Sequence, residues 1–240
     1  MNKKFVYSIA ITCLLVATSA CGPSRFVSPL KKGEQAISAS LGGPIVNVPG
    51  IAPIPIPLTS ITYGRGLKES LTVYGSWHTT AAVFGTIQLD AGITKRIWRD
   101  VDNNKGISVT PGFNTAMDIF DYNFKFWPTF DANYYWKYNV KTQNQEDVVL
   151  GRKHIPNMMY FGFGSWFELQ STRAHGETQQ TRLLPMFHFG HDKNWNKWTF
   201  RSEIKLLAPF TSNENIVVDY ISLLGNNGAT GIYFGLTKRF

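Results

Sequence analysis

The residues of this 240-residue chain best suited to chemistry are five histidines, His78, His154, His175, His188 and His191, with the serine and carboxylates near them. Ser76 and His78 stand two positions apart, so on an extended strand their side chains share one face. Asp90 falls where the next strand would bring it alongside. A serine, an imidazole and a carboxylate so grouped could act as nucleophile, base and orienting acid, which makes Ser76, His78 and Asp90 the catalytic candidates. The competing reading is coincidence, because a sheet with one polar face places many Ser, Thr and His residues side by side. His188 and Glu168 are expected on adjacent strands as a hydrogen-bonded structural pair. Beyond His188 and His191 there is no further clear ligand spacing, so no metal site is expected. No glycine-rich phosphate loop occurs, so no nucleotide cofactor is expected either.

The elements that must position these residues are strands. From Gly33 onward the chain alternates with period two. Between Gly85 and Thr94, Ile87, Leu89, Ala91 and Ile93 share one face, and Gln88 and Asp90 lie on the other. Between Trp198 and Leu206, Trp198, Phe200, Ile204 and Leu206 oppose Arg201, Glu203 and Lys205. The spacing predicts ten strands, at about 34–42, 55–65, 69–78, 83–97, 106–117, 127–138, 156–169, 180–190, 198–207 and 229–240, with eight or twelve as alternative counts. Short polar turns are expected at Gly66–Lys68 and His191–Lys197. Longer connections are expected at 44–57, 118–126, 170–179 and 208–228.

Two all-β architectures share this pattern. A soluble sandwich buries its apolar face; an antiparallel transmembrane β-barrel turns that face to lipid and its polar face to the lumen. Composition and strand ends favour the barrel. Only 17% of residues are charged against 14% aromatic, and Trp98, Trp136, Tyr138, Trp195 and Trp198 flank the short-turn side as an interfacial girdle would. The 34 aromatic residues (17 Phe, 10 Tyr, 7 Trp) exclude a disordered chain, and two cysteines exclude a disulfide framework. By strand phase the inward set holds Gln88, Asp131, Glu168, His188, Arg201, Glu203, Lys205 and Arg239, a mixed-sign network expected to pair within the lumen.

The two ends of the chain carry the sharpest motifs. Met1–Ala20 has Lys3 and Lys4, then an uncharged run, then small residues, as a secretory signal does. Its end, Thr18-Ser19-Ala20-Cys21-Gly22, resembles the lipobox of bacterial lipoproteins, although Leu is usual where Thr18 stands. That resemblance implies cleavage before Cys21 and a diacylglycerol on its sulfur; ordinary cleavage after Ala20 is the alternative. The expected organisation is a signal peptide at 1–20, a lipidated linker at 21–32 and a barrel domain at 33–240. Cys13 lies in the discarded segment, leaving Cys21 alone in the mature chain.

The other end, Tyr233-Phe234-Gly235-Leu236-Thr237-Lys238-Arg239-Phe240, resembles the C-terminal assembly signal of bacterial outer-membrane barrels, carried by Tyr233, Gly235, Leu236 and Phe240. Lys238 departs from it, since that position is usually hydrophobic. Together the two resemblances imply an outer-membrane β-barrel lipoprotein with both mature termini on the periplasmic side.

The function expected is a structural or accessory-subunit role in an envelope complex, with the lumen largely plugged by paired charges. The alternatives are a barrel enzyme acting on lipid or peptide, a narrow pore, or a lipid-anchored soluble β-sandwich binding protein. Expected partners are outer-membrane lipid, the barrel-assembly and lipoprotein-sorting machineries, and a protein engaged through the apolar loops 44–57 and 208–228. The net charge of +8 falls to +6 once Lys3 and Lys4 are removed, and nucleic acid is excluded by compartment.

Overall fold

Alternating side chains need a sheet whose two faces meet different surroundings, and the computed structural model supplies one. It describes residues 22–48, 50, 52–140, 155–170, 181–214 and 218–240. The strands are β1 (Gln35–Val46), β2 (Ile54–Pro55), β3 (Leu58–Lys68), β4 (Leu71–His78), β5 (Thr86–Arg99), β6 (Lys105–Asp118), β7 (Phe124–Tyr138), β8 (Asn157–Phe167), β9 (Leu183–Trp195), β10 (Trp198–Ser212) and β11 (Asn227–Arg239). A five-residue helix, α1 (Thr79–Val83), links β4 to β5. Apart from the two-residue β2, each strand pairs antiparallel with its neighbours in sequence, and β11 closes on β1 through pairs such as Ala36↔Arg239 and Gly42↔Tyr233. The result is a closed ten-stranded antiparallel barrel. No helix among the described residues is long and apolar enough to cross a membrane, so any crossing is made by strands.

Closure turns the usual distribution of polarity inside out. The outward faces carry Ile37, Ile61, Leu89, Ile93, Phe161, Ile204 and Leu236, all exposed, while among the described buried residues the polar ones outnumber the apolar. The inward row of β4 is Thr72, Ser76 and His78, and that of β10 is Thr199, Glu203 and Lys205, all buried. A soluble sandwich would show the reverse, so that alternative is overturned. Strands of 8 to 15 residues match the roughly 9 to 11 tilted residues that span a bilayer. At the short-turn rim Trp98 and Trp195 are exposed, and the Lys238 ammonium lies 5.5 Å from the Trp198 ring centre and 5.4 Å from that of Phe240.

Strand boundaries shift where polar residues look like turns but point inward. The expected turn at His191–Lys197 contracts to Asn196–Lys197, with Asn196 at φ 51°. The reason is that Asp192 and Asn194 face the lumen, where Asp192 meets Arg201 and Asn194 accepts from Thr199. Likewise Gly66–Lys68 belongs to β3, leaving Glu69 and Ser70 as the turn, and 208–212 completes β10.

The loops at 44–57 and 208–228, expected at one end, close that end together. Backbone bonds run from Asn47 to Asp219 (2.9 Å) and from Ile221 to Ile45 (2.9 Å). Below them Ile56, Trp166 and Tyr220 pack on a buried cluster of Leu58, Met186, Leu207, Ala229 and Tyr233. On the β1–β3 and β10–β11 side, the long-loop mouth is therefore covered by the chain itself.

Candidate functional site

A ten-stranded barrel leaves little more room than its own side chains fill. Here part of that room is taken by the segment Gly22–Lys31, which the sequence suggested was a linker. Its Gly22 end lies deep in the lumen beside His78 and Asp90, and from there it runs down to Lys31 at the short-turn mouth. Two glycines of β3 make its bed: the Phe26 ring lies over Gly64, and the Lys31 carbonyl lies over Gly66, so a Cβ at either position would collide with it. The Leu30 amide donates to Thr72 Oγ1 (2.8 Å), and Ser108 Oγ donates to the Val27 carbonyl (2.6 Å). Val27 is 1% exposed, packed with Tyr135, Met158 and Tyr160. Phe26 and Leu30 pack with Ala36 and Tyr74.

At its upper end the segment is tied by charge. Arg25 reaches Asp90 with Nη2 (2.5 Å) and Nε (3.3 Å), and donates from Nη1 to Ser60 Oγ (3.0 Å). The Ser24 amide donates to both oxygens of Glu203, at 3.0 and 3.3 Å. The same carboxylate accepts from the Tyr160 hydroxyl (2.6 Å) and meets Lys205 Nζ (3.3 Å). Arg201 binds Asp192 with two parallel bonds of 2.7 Å and turns Nη1 to the Ser24 and Arg25 carbonyls. Carboxylates so buried are tolerable only with partners around them, and the N-terminal segment supplies one to each of two, Arg25 to Asp90 and the Ser24 amide to Glu203.

The aromatic rings of the lumen have their own seats. Tyr74 lies opposite Gly92, Tyr135 opposite Gly106 and Tyr160 opposite Gly190, while the Tyr233 ring lies over Gly231 of its own strand. A glycine across the strand pair leaves room for a ring to lie against the wall. This packing narrows the lumen further.

The catalytic candidates are brought partly together. His78 Nε2 lies 2.7 Å from Asp90 Oδ2, and Ser76 is the register partner of Asp90. Ser76 Oγ, however, accepts a hydrogen bond from Thr62 Oγ1 (2.9 Å), and among the described residues it shares none with His78. Asp90 is held by Arg25 as well as by His78, so the serine–imidazole–carboxylate chain is not assembled. The expected His188–Glu168 pair is not formed either. His188 Nε2 lies 2.7 Å from Asn133 Oδ1, while Glu168 sits just past β8 and accepts from Trp127 Nε1 (2.7 Å). The physical reason is height: Glu168 follows the end of its strand, and His188 is mid-strand.

Gln88 donates to Asn114 (3.1 Å), and Asp131 lies inward against Gly164 with Oδ1 unbonded. Arg239 is at the short-turn mouth. Cys21, His154 and His175 lie outside the described residues. Among the described residues no group of three or more His, Cys, Asp or Glu side chains could hold a metal ion.

Sequence reasoning missed the plug because residues 22–31 carry no alternation. Its one legible signal was an arginine beside two apolar residues, Arg25-Phe26-Val27, in a stretch too polar for a strand core and too apolar for a free tether.

The segment divides the lumen. On its short-turn side lies a chamber of about 240 Å³, and above it a smaller one of about 50 Å³ bordered by Gly22, His78, Asp90 and Asp131.

No family model matches the sequence, and no curated protein matches it. Among solved structures, it is similar to a bacterial polysaccharide outer-membrane secretin (10% identity, 88% of this chain, 99% of that chain, TM-score 0.38). It is also similar to the NanC porin (9% identity, 85% and 98%, TM-score 0.36). A third is the N-terminal β-barrel domain of Pseudomonas aeruginosa OprF (9% identity, 88% and 100%, TM-score 0.34). At such identities and scores these likenesses carry no functional argument; the barrel stands on the chain's own closed sheet.

Proposed function

We propose that this protein is a closed outer-membrane barrel with a structural or accessory role in the cell envelope. The observation that carries this reading is the seated segment Gly22–Lys31, tied to Asp90, Glu203, Thr72 and Ser108. An apolar outer face, an interfacial ring of Trp and a polar, filled interior support the membrane setting. The loops joined across one side of the long-loop mouth, with the seated segment below, support closure over conduction. Leu223, 73% exposed on those loops, and Phe210, 78% exposed near them, are apolar surface left for a protein partner.

Lipidation of Cys21 belongs to the same proposal, with ordinary cleavage after Ala20 as its alternative; mass spectrometry of the mature N-terminus separates the two.

The test is conductance. Purified protein in planar bilayers should stay closed, and removal of residues 23–30 should give discrete steps while the barrel keeps its heat-modifiable gel migration. Steady conductance by the intact chain would overturn the closed-barrel reading.

A further inference from the structure

The chamber under the plug has a charge imbalance that the lumen network does not use. Of the cations that border it, Arg25 is committed to Asp90 and Arg201 to Asp192. Lys31, Arg96, Arg99, Lys137 and Arg239 remain, against only Glu34 and Glu69. Each of these acids also accepts a backbone N–H, Glu34 Oε2 from Lys31 (2.9 Å) and Glu69 Oε1 from Lys32 (3.2 Å), and Glu34 offsets part of the charge of Arg239, so five cations stand against two carboxylates. The positive charges of Arg96, Arg239 and Lys31 act on the Lys137 ammonium and are opposed by the negative charge of Asp100. Among the described residues its one hydrogen bond, 3.3 Å long, goes to the Asn103 carbonyl. Arg239 keeps its Nε buried and, among the described residues, without a hydrogen-bond partner. Buried donors are normally satisfied, and like charges gathered at one cavity repel unless an anion lies among them.

We infer that this chamber is a binding site for a phosphate-class oxyanion at the short-turn mouth of the barrel. Guanidinium groups present paired donors that match tetrahedral oxyanions, and an ammonium adds a point charge. Arg96, Lys137 and Arg239 converge from β5, β7 and β11, so a single anion would bridge three parts of the barrel wall. The volume of about 240 Å³ accommodates a phosphate with its remaining hydration, or a phospholipid headgroup entering from the adjoining leaflet. The headgroup source rests on the membrane-barrel reading above; the free-anion source does not.

The experiment is calorimetric titration of the full chain, purified in an uncharged detergent. The probes are inorganic phosphate and, separately, monomeric short-chain phosphatidylglycerol, with short-chain phosphatidylcholine as the zwitterionic reference. Saturable binding of phosphate, of phosphatidylglycerol, or of both is expected. Phosphate alone identifies a free anion as the source; phosphatidylglycerol alone identifies a headgroup. The double variant Arg96→Gln with Lys137→Gln should weaken that binding at least tenfold and keep its heat-modifiable migration. Lys125→Gln, at the opposite end, should leave it unchanged. Should the double variant not fold, Arg99→Gln, on an exposed wall position, is expected to weaken binding by a smaller factor. No saturable binding of either probe overturns the site, as does equal weakening by Lys125→Gln. Headgroup binding that fails when the protein proves not to be membrane-inserted refutes the membrane reading, whereas retained phosphate binding leaves the site standing.

Discussion

Arg25 and Asp90 lie 65 residues apart in sequence, yet the Nη2 to Oδ2 separation is 2.5 Å, inside a barrel wall where both side chains are largely shielded from water. His78 touches the same oxygen at 2.7 Å. One ion pair thus ties the N-terminal segment to β5 and, through His78, to β4. Removing one partner of a buried pair leaves an uncompensated charge and costs on the order of 3–5 kcal/mol. Arg25→Leu is expected to lower unfolding stability by an amount of that order and to expose residues 22–31 to protease. Proteolysis of folded, detergent-solubilised protein, followed by mass spectrometry, checks it. Unchanged protection would mean that Arg25 does not hold the segment.

Asp90→Asn should separate charge from shape. It keeps the size of the side chain but loses its charge, so Arg25 is left buried without a counterion. The expected signature is loosening of the segment with the barrel intact, read as conductance steps in a planar bilayer. The response should resemble that of the 23–30 deletion and be smaller in amplitude.

Tyr160 lies across from Gly190, and a Cβ there would collide with the ring. Gly190→Ala is therefore expected to displace Tyr160 and its 2.6 Å bond to Glu203, at about 1–3 kcal/mol for overpacking. Tyr160→Phe keeps the ring and removes only the hydroxyl, and leaving an acceptor short of a partner costs about 1–3 kcal/mol. Denaturant titration of both, and of the double variant, should show strong non-additivity, because both changes act on the same bond.

Ile204 is mid-strand on β10, flanked by Ile232 and Phe189, and is 47% exposed. If that face meets lipid, Ile204→Arg should cost about 2–4 kcal/mol near the bilayer midplane. The same change on a soluble surface would be nearly neutral. Folding into lipid vesicles, compared with folding in detergent, measures the difference.

Ser76→Ala is expected to leave the protein unchanged apart from the lost Thr62–Ser76 hydrogen bond. Loss of a hydrolytic activity without loss of fold would instead restore the nucleophile reading, and assay on ester and peptide substrates decides it.

Much of the barrel was legible in the sequence, for a simple reason. A side-chain period of two is local: each residue in a strand points opposite to its neighbour, so Ile87, Leu89 and Ile93 declare one face, and Gln88 and Asp90 the other, before any partner is known. Strand number and order follow, because successive antiparallel strands pair with their sequence neighbours. Boundaries were less legible. Asp192 and Asn194 look like turn residues, and only the presence of Arg201 and Thr199 across the lumen makes them strand.

The lumen contents were decided by tertiary structure alone. Phase could say that Asp90, Glu203 and His188 point inward, but not at what height or towards whom. Glu168 and His188 share a face and miss each other, while Asp90 and Arg25 share no pattern and meet. A barrel interior has no period of its own; its contacts depend on closure, on strand register and on which segment fills the space that remains. The alternation of this chain determined that there would be a polar lumen. What occupies it, Gly22–Lys31 with its arginine, became visible only when ten strands closed around a volume that bare side chains left partly empty.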